Sequence, residues 1–465
     1  MAGTVQASPG VAITPSSVKA TLPTNYITNF DFLNQYLPDT YEKEFERYGN
    51  RSIASFLRMV GAELPSNSDL IKWAEQGRLH TKYASVTAVG ASGGDDSVTF
   101  DIGTGTCVFR IGQTVFLSNN ASASSSYKGI ITALPASDRF TVAFYNAGGI
   151  LAGDTGATFT AFVYGSEFKK GSNGMSGSLE AVDSIFEVSP IIIKDKYVVS
   201  GSDMAQIGWV EVSTENGATG YLWYLKSEHE TRLRFEDYLE MAMVEGVVAE
   251  AGSGAIAATG DLGNKGTQGL FASVESRGNV WAGGNPSALS DFDTIVQRLD
   301  KQGAIAENAL FLNRQFSFDI DDMLAAQNSY GVGGTSYGLF DNSEQMALNL
   351  GFTGFRRGYE FYKTDWKYLN DATLRGGLVG GAVNGVLVPA GTTTVYDQVL
   401  GKNAKRPFLH VRYRASEAEN RRYKTWMTGS AGGAATSDLD AMEVNFLSER
   451  ALCTLGANNF FIFKG

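Results

Sequence analysis

Histidine and cysteine are nearly absent from this chain: 465 residues hold three of the first and two of the second. Histidine is the commonest general base near neutral pH, so a proton-relay centre has little to be built from. Cys107 and Cys453 lie too far apart in sequence to form a framework of staples, and they read as buried thiols of a protein made in a reducing cytoplasm. No apolar run reaches the roughly 18 residues of a membrane span. The start Met1-Ala2-Gly3-Thr4 has no basic region before an apolar core, so no secretory signal is expected. The net charge is −11, and no Lys or Arg run is interleaved with aromatics, which argues against a tight nucleic-acid groove.

The motifs of chemistry fail on context. None of His80, His229 and His410 has a second His or Cys at ligand spacing, and Leu233 stands where a zinc helix starting at His229-Glu230 needs its second histidine. Gly334-Thr335-Ser336-Tyr337-Gly338 fits a nucleophile elbow, but a helix and a glycine-rich stretch precede it where a strand is required. Gly252-x-Gly254-x-x-Ala257 resembles a dinucleotide fingerprint after a helix instead of a strand. Asp319, Asp321 and Asp322 lack the glycine and glutamate of a calcium loop and read as a helix start. No catalytic, cofactor-binding or metal-ligating residue is therefore assigned.

What is present is a globular composition, 43% hydrophobic and 19% charged, which excludes disorder of the whole chain. Glycine is abundant at 54 residues, against only 10 prolines, and 28 Phe with 20 Tyr supply strands and aromatic contact surfaces. The predicted class is α+β with an inserted small β domain.

Residues 1–38 read as an extended N-terminal arm, and 39–85 as a helical segment with helices near 39–60 and 68–77. Residues 86–164 alternate short strands with Gly, Ser, Asn and Asp clusters: 98–102, 107–111, 114–117, 129–134 and 140–145. That rhythm predicts a small β-barrel or sandwich. Residues 165–200 are expected to form a projecting loop, a hairpin with a glycine-rich tip.

The strongest helix spans 219–250 within a unit of 201–330. Its wheel puts Leu222, Leu225, Leu233, Met243 and Val247 on one side and Tyr224, Phe235, Tyr238 and Ala242 opposite, so burial on two sides is expected. Glu236 and Glu240 interrupt the first stripe. A helix 292–302 capped by Ser290 and Asp293, a strand 308–313 and a helix 318–327 follow. Residues 331–465 alternate glycine-rich loops with strands near 385–389, 408–413, 443–446 and 460–463. Arg356-Arg357 and Arg421-Arg422, with Arg412, Arg414 and Lys424, are either solvated faces or partners for acids such as Glu42, Glu44 and Glu46 of another subunit.

The order arm, projecting loop, long helix, glycine-rich turn, helix, strand and helix resembles the HK-97 type capsid fold of tailed bacteriophages. The chain also looks like the capsid proteins of crAss-like phages, including His410-Val411-Arg412-Tyr413-Arg414. The resemblance implies a spine helix at 219–250, a peripheral domain over 201–330, and an axial domain with returning peripheral strands over 331–465. It implies a structural major capsid protein, not an enzyme, that self-assembles into hexamers and pentamers of an icosahedral shell enclosing double-stranded DNA. Portal and decoration or auxiliary capsid proteins would be partners, the location would be the virion, and assembly would occur in the bacterial host cytoplasm. Some members of that family crosslink through Lys and Asn; Lys169, Lys170 and Asn173 lie in the corresponding loop without a matched acid. A phage tail or host-surface glycan-binding protein, an encapsulin-like compartment shell and a hydrolase using Ser336 are the alternatives.

Overall fold

A computed structural model of the chain describes residues 52–54, 56–57, 62–122, 124–180, 182–206, 212–213, 219–220, 223–257, 264–303, 305–328, 353–397, 402–433 and 435–465. The architecture is mixed α+β. The expected arm, the helix at 39–60 save for its last turns, and the Ser336 motif lie outside the described residues.

Two sheets make the body. In the five-stranded sheet, Ala441–Thr454 is the hub: its C-terminal half pairs with Leu409–Arg414 and its N-terminal half with Lys424–Gly429, while Ile191–Ser200 covers its other edge. Ala62–Ser66 adds in parallel beside Leu409–Arg414. The six-stranded sheet runs Asn279–Trp281, Phe461–Lys464, Val383–Pro389, Glu307–Leu312, Tyr359–Asp365, Gly354–Arg357. Period-two alternation explains its double burial. Leu310, Leu312, Leu387, Phe461 and Phe463 pack on Phe292, Ile295, Leu299, Phe316 and Ile320 of the helices Leu289–Gln302 and Arg314–Asn328. Phe311, Val386, Val388 and Ile462 enter the central core with Phe56, Trp366 and Leu270. There Phe56 stacks on Trp366 with centroids 4.3 Å apart.

Residues Lys82–Ser166 close a separate barrel, ordered Lys82–Val89, Ser97–Asp101, Arg139–Phe144, Ser126–Ala136, Gln113–Asn119, Thr158–Ser166. It has its own core of Val86, Phe100, Leu117, Ile131, Phe140 and Phe159. The expected strand at 107–111 is irregular. Its N–H groups go instead to Ser137 O from Cys107 (2.7 Å), Tyr83 Oη from Val108 (2.8 Å) and Gln113 Oε1 from Arg110 (2.7 Å).

Other elements depart from the sequence reading. The segment expected as a helix at 68–77 is the strand Ile71–Glu75, paired antiparallel with Ser184–Val188. Its Ile71, Trp73 and Glu75 alternate with more exposed neighbours, the signature of a strand. The hairpin expected within 165–200 does not form, because Ser184–Val188 pairs with Ile71–Glu75 and Ile191–Ser200 with the hub strand.

The long helix spans Trp223–Glu245, shorter than 219–250. It ends at Gly246, where a side chain would meet the carbonyl oxygens of Ala242 and Thr267, each at 2.6 Å. Two-sided burial is not observed along the wheel stripes. Phe235, Leu239, Met243 and Val244 are buried, while Leu225, Tyr238 and Val247 are exposed. The buried face winds around the helix because its N-terminal part rests on the hub sheet and its C-terminal part on the central core. Glu240 is buried and accepts the Phe56 N–H at 3.0 Å.

The helix expected at 292–302 starts at Leu289 with Asp291 as its capping carboxylate, accepting from Ala288 N–H at 3.1 Å, so the expected Ser290–Asp293 box lies two residues late. The helix expected at 318–327 begins at Arg314, capped by Asn313 Oδ1 from Phe316 N–H at 2.8 Å. Its acids therefore lie beyond the first turn: Asp321 pairs with Lys363 at 2.5 Å, and Asp319 accepts from Gln315 at 2.9 Å and Asn285 at 2.6 Å.

Candidate assembly surface

The histidines are dispersed: His80 is exposed, His229 bonds Arg232 on the long helix at 2.9 Å, and His410 is buried in the hub sheet. Among the described residues no group of three His, Cys, Asp or Glu side chains converges as a metal site, and no helix is long and apolar enough to cross a membrane. Cys453 is buried, its thiol pushed up to about 12 by burial, and Cys107 is half-buried with its thiol raised by burial.

A cleft of about 820 Å³ lies between the long helix and the hub sheet, with Glu63, Glu240, Arg422 and Arg450 in its wall. Its charges are engaged. Arg450 donates to Ser448 Oγ at 2.9 Å and the Arg422 carbonyl at 3.1 Å and faces Glu63 at 3.4 Å, while Arg422 also pairs with Glu63. Burial pushes the Arg450 guanidinium below its usual range. The arrangement buttresses the first strand against the hub and holds no free nucleophile.

Most of the basic side chains singled out in the sequence pair with acids of the same chain, while the buried Arg412 Nε has no hydrogen-bond partner among the described residues. Arg357 forks onto Asp293 at 2.6 and 2.8 Å, Arg421 meets Glu449 at 3.0 Å, Arg414 meets Asp69 at 2.9 Å, and Lys424 meets Glu419 at 2.6 Å. Glu42, Glu44 and Glu46 lie outside the described residues.

What stands out is a ribbon. The barrel joins the body through the paired strands Ile71–Glu75 and Ser184–Val188. At the foot of this stalk Arg277 lies over the Phe186 ring (4.2 Å) and the Trp73 ring (5.7 Å) and pairs with Glu75 (3.4 Å). Glu75 Oε1 also accepts the Trp73 indole N–H at 2.9 Å and Gly456 N–H at 3.0 Å. Burial lowers the Arg277 pKa, and Glu75 opposes that shift. These contacts fix the direction in which the stalk leaves the body.

Large apolar side chains lie open around that stalk: Val182 is 87% exposed, Leu79 86%, Ile185 70% and Leu179 51%. Beyond it, Ile191–Ser200 is an edge strand that among the described residues pairs on one side only, with Lys194 and Lys196 between the exposed Ile192 and Val198. A long open edge and a run of bare aliphatic residues are features that soluble monomers avoid. Lys169, Lys170 and Asn173 are exposed in the loop between barrel and ribbon. The sequence reading did not single out Arg277, Trp73 or Phe186. The alternation Ile71, Trp73, Glu75 was the available signal, and it was masked by reading the segment as a helix.

No protein-family model matches the chain, and no curated protein matches it in sequence. Solved structures similar to it include one titled Mycobacterium phage Ogopogo, at 10% identity and TM-score 0.40, covering 92% of this chain and 96% of that one. A second, titled Gordonia phage Cozz, has 8% identity and TM-score 0.40 and covers 93% and 91%. A third, the capsid of a native GTA particle, has 10% identity and TM-score 0.37 and covers 94% and 97%.

Proposed function

We propose that the chain is a structural shell subunit, a phage major capsid protein of the HK-97 type, whose copies associate through the ribbon and the open edge strand. The observation that carries the reading is the bare aliphatic stalk. Covering one side chain of this size favours an association by about 1.5–3 kcal/mol before the cost of association, and a symmetric assembly repeats that gain in every copy. Within that reading, Trp223–Glu245 is the spine helix, 201–330 the peripheral domain and 331–465 the axial domain with returning strands. The barrel is an insertion between ribbon strands, and 1–38 is an arm that laces onto neighbours. Hexamers and pentamers would enclose double-stranded DNA without sequence-specific contacts, with portal and decoration proteins as further partners. The acidic balance of −11 keeps the wall from sticking to the polymer it contains.

Electron microscopy of the purified full-length chain and of its source particles tests this. Closed icosahedral lattices of rings of six and five are expected. A stable monomer within native particles of another shape would refute it.

A further inference from the structure

Asn-Gly, the pair in which an asparagine side chain meets least hindrance from the residue after it, occurs three times in the chain, at 173–174, 216–217 and 384–385. The second pair lies outside the described residues, and the fold treats the other two in opposite ways. Asn384 is locked in the strand Val383–Pro389: its Nδ2 donates to Asn285 Oδ1 at 2.6 Å, and its Oδ1 accepts from Asn313 Nδ2 at 3.2 Å. Its carbonyl accepts the Asn313 N–H at 2.8 Å, and a Cβ on Gly385 would meet Leu312 Cδ2 at 2.6 Å.

Asn173 is free to move. Residues 167–180, which lead from the barrel to the ribbon, hold no helix or strand, and Asn173 and Gly174 are both exposed. Among the described residues neither the Asn173 amide nor the Gly174 N–H has a hydrogen-bond partner. A Cβ placed on Gly174 would meet nothing within 4 Å. The Ser172 N–H and hydroxyl are both engaged, donating to the Lys169 carbonyl at 3.2 and 2.7 Å, so Ser172 does not hold the amide beside it.

We propose that Asn173 is a self-modification site, at which the chain converts its own side-chain amide to a carboxylate without an enzyme. The Gly174 nitrogen, losing its proton, attacks Asn173 Cγ. The N–Cγ bond forms, the Cγ–Nδ2 bond breaks, and the proton leaves with Nδ2 as ammonia. Water then opens the five-membered imide. Addition at Cγ gives aspartate; addition at the main-chain carbonyl gives isoaspartate, whose backbone runs through Cγ. No oxidant or reductant enters. With no Cβ on Gly174 and no packing to break, the loop reaches the attacking geometry by local motion, whereas Asn384 must wait for its strand to open. Each conversion adds one negative charge to the chain's −11, beside Lys169 and Lys170. The proposal does not depend on shell assembly.

The test ages the full-length folded chain at mildly alkaline pH and follows the Asn173 and Asn384 peptides by mass spectrometry, with fragmentation that separates aspartate from isoaspartate. Asn173 should yield a mixture of the two, at least about tenfold faster than Asn384, whose conversion requires local opening. Gly174→Val, which the open space around the residue accommodates, should melt as the parent does and slow conversion at least about tenfold, because its branched side chain crowds the attack. An Asn173 that stays an amide, equal rates at the two sites, aspartate without isoaspartate, or undiminished conversion in Gly174→Val overturns the proposal.

Discussion

The guanidinium of Arg277 lies 4.2 Å from the centre of the Phe186 ring while pairing with Glu75 at 3.4 Å, so one side chain grips both strands of the stalk that carries the barrel. Arg277 also donates to the Thr454 carbonyl at 3.3 Å, tying the stalk to the hub strand.

Arg277→Ala should therefore loosen the stalk without unfolding the barrel, whose core is separate. A loss of about 1–2 kcal/mol is expected from the cation–π contact. Lysine should not restore it, because a point charge cannot lie flat on two rings. Hydrogen exchange should rise in Ile71–Glu75 and Ser184–Val188 while the barrel strands stay protected; unchanged exchange there would show that the clamp is idle.

Val182→Asp with Ile185→Asp should leave the unfolding free energy within about 0.5 kcal/mol of the parent, because both side chains are 70% or more exposed. Particle formation followed by sedimentation should fail. Normal shells from this variant would remove the ribbon from the assembly surface.

Asp154 closes one end of the barrel, buried between Asn119 Nδ2 at 2.8 Å and the Tyr127 hydroxyl at 2.5 Å. Asp154→Leu orphans both partners and should destabilise the barrel by about 2–4 kcal/mol, read as an earlier melting transition. Asp154→Asn should cost less, since it keeps an acceptor for one of them.

Alkali should weaken the fold. Burial holds the Cys453 thiol at about 12, against 9.0 for a free one. Tyr145 is held at about 12 by burial and by Glu167, and Tyr359 at about 12 by its hydrogen bond to Asp300 and by burial, against 10.0. All three are raised, so their contribution is complete below about pH 9 and lost as pH climbs from 9 to 12. Unfolding midpoints measured across that window should fall steadily. Cys453 should resist alkylation in the native chain until the fold opens; ready labelling at pH 8 would contradict its burial.

Glu245 ends the long helix, where the helix dipole disfavours a carboxylate, and Arg375 offsets this with two bonds of 2.6 Å while the Tyr368 hydroxyl donates a third at 2.6 Å. Arg375→Ala should leave that charge half-covered and cost about 1–2 kcal/mol by chemical denaturation. Glu245→Gln in the same background should recover part of it.

The barrel strands were legible because each announces itself locally: Val98, Phe100, Phe140 and Val142 alternate with polar neighbours and are bounded by turn residues. The helices Leu289–Gln302 and Arg314–Asn328 were legible as helices, but their starts were not, since caps depend on which carboxylate or amide the backbone reaches. Ile71–Glu75 was misread because its identity comes from Ser184–Val188, a strand beyond the whole barrel, and no local window contains that partner.

The sequence by itself determined the α+β class, the barrel rhythm and the poverty of reactive groups, since propensity, alternation and counting are local properties. Tertiary structure alone decided which face of the long helix is buried, which arginine grips the stalk, and that aliphatic side chains around that stalk stay open to solvent. Burial and pairing across long sequence separations depend on what the chain brings together, and only the closed fold specifies that.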